Sequence, residues 1–145
     1  MAVKMDEIGP KEAWARLEAA DDAVLVDVRT REEWSFVGVP DLSSLGKAAI
    51  LVEWATLPGM QQNHQFVETL MTQLGGSAPS EILFLCRSGA RSMTAANAAA
   101  TAIEATGQDV RLTNVAEGFE GDLNDTHHRG TTNGWKANGL PWRQT

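Results

Sequence analysis

The segment Cys86-Arg87-Ser88-Gly89-Ala90-Arg91-Ser92 gathers the residue types that nucleophilic chemistry on an anionic substrate requires. It holds the one cysteine of the 145-residue chain together with two arginines, two serines and a glycine. A thiol attacks as its thiolate, and a thiolate is favoured beside cations and at the start of a helix, where unpaired N–H groups and the helix dipole present positive charge. Arg87 and Arg91 add to that field. Gly89 lets the backbone wrap around a central atom, because it accepts positive φ and has no side chain to collide with. The bland alternative is that Cys86 is a small buried hydrophobe, as free cysteines often are. Its neighbours argue against that, since two arginines beside a thiol make poor core material.

Such a loop has to be held between a strand and a helix, and the flanking sequence predicts both. Ile82-Leu83-Phe84-Leu85 reads as a strand. The alanine-rich stretch from Ser92 to Ala105 reads as a long helix ended by Gly107, with its small residues packed closely on a sheet. Upstream, Lys11 to Ala20 carries Ala13, Trp14 and Leu17 at helical spacing behind Gly9-Pro10. Ala23 to Val28 is a short, continuous apolar run that fits a strand covered on both faces, and Thr30 with Glu33 resembles a capping box. An apolar run at Ile50 to Trp54 follows. After Pro58-Gly59 a helical pattern comprises Phe66, Val67, Leu70, Met71 and Leu74, with His64 at its start and Gly75-Gly76 as its stop. Val110 to Val115 reads as the last strand.

Strands alternating with helices predict an α/β domain with a mostly parallel sheet. Ligands bind such sheets beyond the carboxyl ends of the strands, which here selects the loops after Val28, Trp54, Leu85 and Val115. A chain of this length fits one domain, residues 1–145, in which 121–145 form a tail anchored by Trp135 and Trp142. Trp54, at a strand end, suits either pocket lining or packing.

Composition narrows the function classes. Twelve Lys and Arg against nineteen Asp and Glu leave a net charge of -7, with no local basic run, which opposes binding to nucleic acid or anionic lipid. A lone cysteine excludes an internal disulfide and a cysteine-rich metal site, so neither metal nor cofactor is expected. His127-His128 reads as solvated loop. No apolar stretch is long enough to span a membrane and no apolar signal segment stands near the start, so the expectation is a cytoplasmic monomer.

The cysteine loop resembles the active-site loop of rhodanese-like domains, in which cysteine opens a short glycine-containing loop that closes on Arg-Ser or Arg-Thr. Leu25-Val26-Asp27-Val28-Arg29-Thr30 followed by Glu32-Glu33-Trp34 is similar to that family's early strand and acidic-aromatic signature. Val115-Ala116-Glu117-Gly118-Phe119 is similar to the strand and glycine turn after its active-site helix. The resemblance spans roughly the chain from Met5 to Phe119 in the family's order, while Phe36-Val37-Gly38-Val39-Pro40 departs from its His-x-x-Gly-His turn. The resemblance implies a single-domain three-layer sandwich with helices on both faces of the sheet. It also implies a rhodanese-type, thiosulfate-using sulfurtransferase working through a persulfide on Cys86.

By the same resemblance, N–H groups from Arg87 to Ser92 stabilise the persulfide and the arginines attract a small anionic sulfur donor. Cyanide or a thiol, including a protein thiol, is the acceptor. Asp27 and Arg29 would organise the neighbouring loop through hydrogen bonds and an ion pair, with Glu33 as a further partner. Two other readings compete. A persulfide carrier or interaction module would keep the loop without independent turnover. The other is a cysteine phosphatase or arsenate reductase, but tyrosine-phosphatase-type loops place five residues between Cys and Arg, whereas four separate Cys86 from Arg91, and no second cysteine is available to resolve an arsenate-linked thiol.

Overall fold

Strands whose two faces are both apolar must be covered on both sides, and this sets the architecture. In β7 (Glu81–Leu85) every residue is buried, and β2 (Val24–Asp27) is nearly so. Their side chains alternate: Val26, Ile82 and Phe84 belong to one core, Leu25, Leu83 and Leu85 to the other. The first core is closed by helices α3 (Phe66–Leu74) and α4 (Ala90–Thr106), the second by α1 (Pro10–Ala19) together with Trp135. Along α4 the buried face is built of Ala95, Ala96 and Ala99, whose small side chains bring the helix close to the sheet.

The computed structural model describes residues 4–76 and 78–145. Its central sheet adds β1 (Lys4–Ile8), β4 (Ile50–Leu51) and β8 (Arg111–Val115), and runs β1-β8-β7-β2-β4 with all pairs parallel. The fold is the expected α/β three-layer sandwich with helices on both faces. Short elements complete it: α2 (Arg31–Phe36), β3 (Val39–Pro40), the hairpin of β5 (Ala55–Thr56) and β6 (Gln61–Gln62), α5 (Gly134–Ala137) and β9 (Trp142–Arg143). Among the described residues no helix is long and apolar enough to cross a membrane.

Several local readings need correction. The strand β1 was not foreseen: it mixes Asp6 and Glu7 with Met5 and Ile8, as an edge strand with one partner can. Helix α4 starts at Ala90, two residues before Ser92, because Gly89 adopts φ 114° and serves as its N-cap. The run Ile50 to Trp54 pairs over only two residues, and Trp54 packs edge-on against Phe66 at 5.2 Å, the packing role of the two it suited. His64 does not cap α3; it is exposed, and Asn63 Oδ1 accepts the Gln65 N–H instead.

Val115 is also not the end of the strands, because β9 returns antiparallel to β3. Trp135 brings the tail back: it is 0% exposed, meets Trp14 edge-on at 5.9 Å and donates its indole N–H to the Pro141 carbonyl at 2.7 Å. Trp142 is held from above by Lys136 Nζ, 3.9 Å from its ring centre. Replacing Trp135 with Ala empties a large volume that neighbours refill only in part. Trp135→Ala is expected to lower stability by about 3–5 kcal/mol, read from denaturant midpoints. A loss under about 1 kcal/mol would mean the tail does not lean on this side chain.

Candidate active site

Strand β7 delivers Cys86 to the carboxyl end of the sheet, and the turn after β8 then shapes the loop. Phe119 N–H donates to the Cys86 carbonyl at 2.8 Å, while the N–H groups of Glu120 and Gly121 donate to the Arg87 carbonyl at 3.0 and 3.1 Å. With those carbonyls held outward, the following N–H groups are free to turn toward the sulfur. Gly118 makes this approach possible: its φ is 67°, and a Cβ there would lie 2.5–2.6 Å from backbone atoms of Cys86 and Arg87. The tail grips the same turn from behind, Trp135 N–H donating to the Gly118 carbonyl at 2.8 Å and Gly134 N–H to Glu117 Oε1 at 2.9 Å.

Cys86 is 1% exposed, and its residue packs with the α3–α4 core. Its Sγ nevertheless has polar partners, the Gly89 N–H at 3.1 Å and the Ser92 hydroxyl at 3.2 Å. Ala90, Arg91 and Ser92 form the first turn of α4, where backbone N–H groups lack intrahelical acceptors. Of the N–H groups expected around the sulfur, Gly89's is the one bonded to it in this state. Behind Ser92 stand two residues that sequence reasoning missed. Asn114 Oδ1 lies 2.5 Å from Ser92 Oγ, and Glu7 Oε2 accepts from Asn114 Nδ2 at 2.8 Å. Both sit on neighbouring edge-side strands, β8 and β1, and only the sheet order brings them to the cysteine.

Asp27 and Arg29 form a buried ion pair, and Glu33 is paired elsewhere. Arg29, 0% exposed, donates to Asp27 through Nε at 2.9 Å and Nη2 at 2.7 Å, donates to the Gly38 carbonyl at 2.7 Å, and lies 4.2 Å over the Phe119 ring. Glu33 does not join this pair. Its two carboxylate oxygens take both terminal nitrogens of Arg91, at 2.7 and 2.9 Å, a bidentate link between α2 and α4. Arg91 is therefore committed to Glu33, whereas Arg87 is exposed.

Burial by itself raises the Glu33 carboxyl, but the Arg91 guanidinium and the N–H and hydroxyl of Thr30 outweigh it and hold the group down at about 2. A carboxyl depressed in the folded state contributes stability that is present above its ordinary value of 4.5 and is lost as pH falls through about 2. Because the pair is partly solvated, Glu33→Gln is expected to lower stability at neutral pH by about 1–2 kcal/mol. The wild type should lose that advantage between pH 4.5 and about 2, so denaturation curves of the two proteins converge in acid. A constant gap down to that limit would contradict the assignment.

A groove of about 560 Å³ opens beside the loop, and its lining includes Arg87, Arg91 and Arg129 as well as Phe36, Leu57 and Met60. Phe36 is 80% exposed, an unusual position for so large an apolar ring. His127 and His128 are exposed.

Comparison with known proteins shows the family and the fold. The family model described as Rhodanese-like domain matches residues 9–124. The crystal structure of Rv0390 from M. tuberculosis superposes with a TM-score of 0.82 at 46% identity, over 99% of this chain and 100% of that one. An uncharacterized protein, RC0915, of Rickettsia conorii is 37% identical over 141 residues, 97% of this chain and 99% of that protein. At 19% identity, the solution structure of a 30 kDa polysulfide-sulfur transferase homodimer from Wolinella succinogenes shares the fold, with a TM-score of 0.56 over 97% of this chain and 80% of that one.

Proposed function

The chain belongs to the rhodanese-like domain family, and on that premise we propose that it is a thiosulfate-type sulfurtransferase in which Cys86 carries the sulfur. The Cys86 thiolate attacks the outer sulfur of thiosulfate. The donor's S–S bond breaks, sulfite leaves with the electron pair, and a persulfide anion remains on the enzyme. A thiophilic acceptor, cyanide or a thiol, then attacks the outer sulfur and regenerates the thiolate. The observation that carries this reading is the setting of Sγ: it accepts the Gly89 N–H at 3.1 Å at the mouth of α4, beside first-turn N–H groups with no acceptor in the helix.

Each loop residue has a part in this scheme. Gly89, Ala90, Arg91 and Ser92 would offer N–H groups to the persulfide anion, and Ser88 spans the rim. Exposed Arg87, with Arg129 lining the same groove, would draw in the anionic donor. Asp27 and Arg29 brace the adjoining loop without meeting substrate. Residues 1–145 act as one domain, with the tail as part of it, and a single unpaired thiol suits a monomer in the reducing cytoplasm. Phosphate chemistry is disfavoured because Arg91, the arginine a phosphatase would turn onto its anion, is held by both oxygens of Glu33.

A second reading, a persulfide relay to a protein acceptor, is favoured by the exposed apolar wall of Phe36, Leu57 and Met60 beside the loop. Mass spectrometry after thiosulfate treatment tests both: the chain should gain the mass of one sulfur atom, and a chain that gains none is not a sulfurtransferase. Conversion of cyanide to thiocyanate then separates turnover from relay.

A further inference from the structure

Asn114 has no place in the reaction as proposed, yet it is fully buried directly behind the sulfur cradle. Its amide nitrogen donates to Glu7 Oε2 at 2.8 Å and to the Gly89 carbonyl at 3.1 Å. Reversing the amide would set its oxygen against both of those acceptors, so Oδ1 must face Ser92. Ser92 has one proton and three acceptors within reach: Asn114 Oδ1 at 2.5 Å, the Gly89 carbonyl at 3.2 Å and Cys86 Sγ at 3.2 Å. The Gly89 carbonyl already receives the Asn114 amide and the Met93 N–H, whereas Oδ1 has no other donor among the described residues. The proton belongs to Asn114.

Ser92 consequently turns a lone pair toward Sγ. A thiol accommodates this by donating its S–H to the hydroxyl, but a thiolate cannot. In the thiolate form, Sγ and Asn114 Oδ1 compete for one proton, and one of them is left without it. Loading removes the conflict: the negative charge moves to the outer sulfur, and Sγ becomes a bridging atom that accepts hydrogen bonds weakly.

We propose that Asn114 is a positioning residue that keeps the Ser92 proton away from Cys86 and thereby biases the site toward its sulfur-loaded form. The proposal rests on the persulfide reading above. It concerns one equilibrium, in which the thiolate and thiosulfate exchange a sulfur atom to give the persulfide and sulfite. Replacing Asn114 by an apolar residue frees Ser92 to stabilise the empty thiolate, which shifts that equilibrium back toward the empty enzyme.

The test equilibrates the full chain with thiosulfate and sulfite at fixed ratios and alkaline pH, and reads the loaded fraction by mass spectrometry. Asn114→Val, suited to a strand, is expected to lower the loading constant about tenfold, the size of one hydrogen bond. In a Ser92→Ala background the same substitution is expected to change it less than about twofold, because no proton remains to redirect. Asn114→Ala carries the same cycle if the valine is not tolerated. An unchanged loading constant, or an equal effect in both backgrounds, would overturn the proposal and leave Asn114 a packing residue. Wild-type protein that takes up no sulfur at any ratio would instead overturn the persulfide reading.

Discussion

Cys86→Ser is expected to take up no sulfur from thiosulfate and to convert cyanide no faster than the uncatalysed reaction. A serine oxygen can still accept the Gly89 N–H and lie beside Ser92, the two contacts that Sγ makes now at 3.1 and 3.2 Å. What disappears is the chemistry: a hydroxyl is far less acidic than a thiol and forms no persulfide. No other thiol exists in the chain to take over, since Cys86 is the one cysteine. The near-isosteric exchange at a polar position should change stability by less than about 1.5 kcal/mol. Folded but inactive protein is thus the predicted outcome, measured by thiocyanate formation, intact mass and denaturant unfolding. Retained turnover in the serine variant would remove Cys86 from the mechanism.

Gly118→Ala should also damage transfer strongly, though it changes no side chain of the loop. Its Cβ would fall 2.5 Å from the Arg87 carbonyl carbon and 2.6 Å from the carbonyl oxygens of Arg87 and Cys86, at a backbone φ of 67° that alanine resists. The backbone that is struck is the backbone that orients the sulfur cradle, so the loop must move away from the β8 turn. Displacement of about 1 Å at a reacting centre is enough to cost about a hundredfold in rate. The expected result is that loss in thiosulfate-to-cyanide turnover, with stability reduced by about 1–3 kcal/mol from overpacking. Gly89→Ala offers the contrast: a Cβ there meets nothing nearer than 3.6 Å, so its cost comes from the φ of 114° alone. Turnover within about threefold of wild type in Gly118→Ala would show that the loop is not held from this side.

The central strands, the capping box at Thr30 and Glu33, the helix stops at Gly75 and Gly107 and the loop between β7 and α4 were all legible in the sequence. Each is a local matter, written in apolar runs, side-chain caps and glycines that take positive φ. Strand β1 was not legible, because a charged edge strand earns its place only through its pairing with β8. Nor was the pairing of Glu33 with Arg91, since α2 and α4 meet only in the packed domain.

The cysteine shows the division most clearly. Sequence alone determined that a single thiol ends a buried strand and opens a glycine-containing turn into a helix, because strand, turn and helix are set by neighbouring residues. Whether that thiol is core filler or lies in a polar cradle was decided by tertiary structure. By area Cys86 is buried, as the bland reading had it. By its partners it faces the Gly89 N–H and Ser92, with Asn114 and Glu7 behind them. Asn114 and Glu7, which back the cradle, come from β8 and β1 and lie 28 and 79 residues from Cys86 in sequence. Hydrogen bonds over such separations exist only once the sheet order β1-β8-β7 has formed.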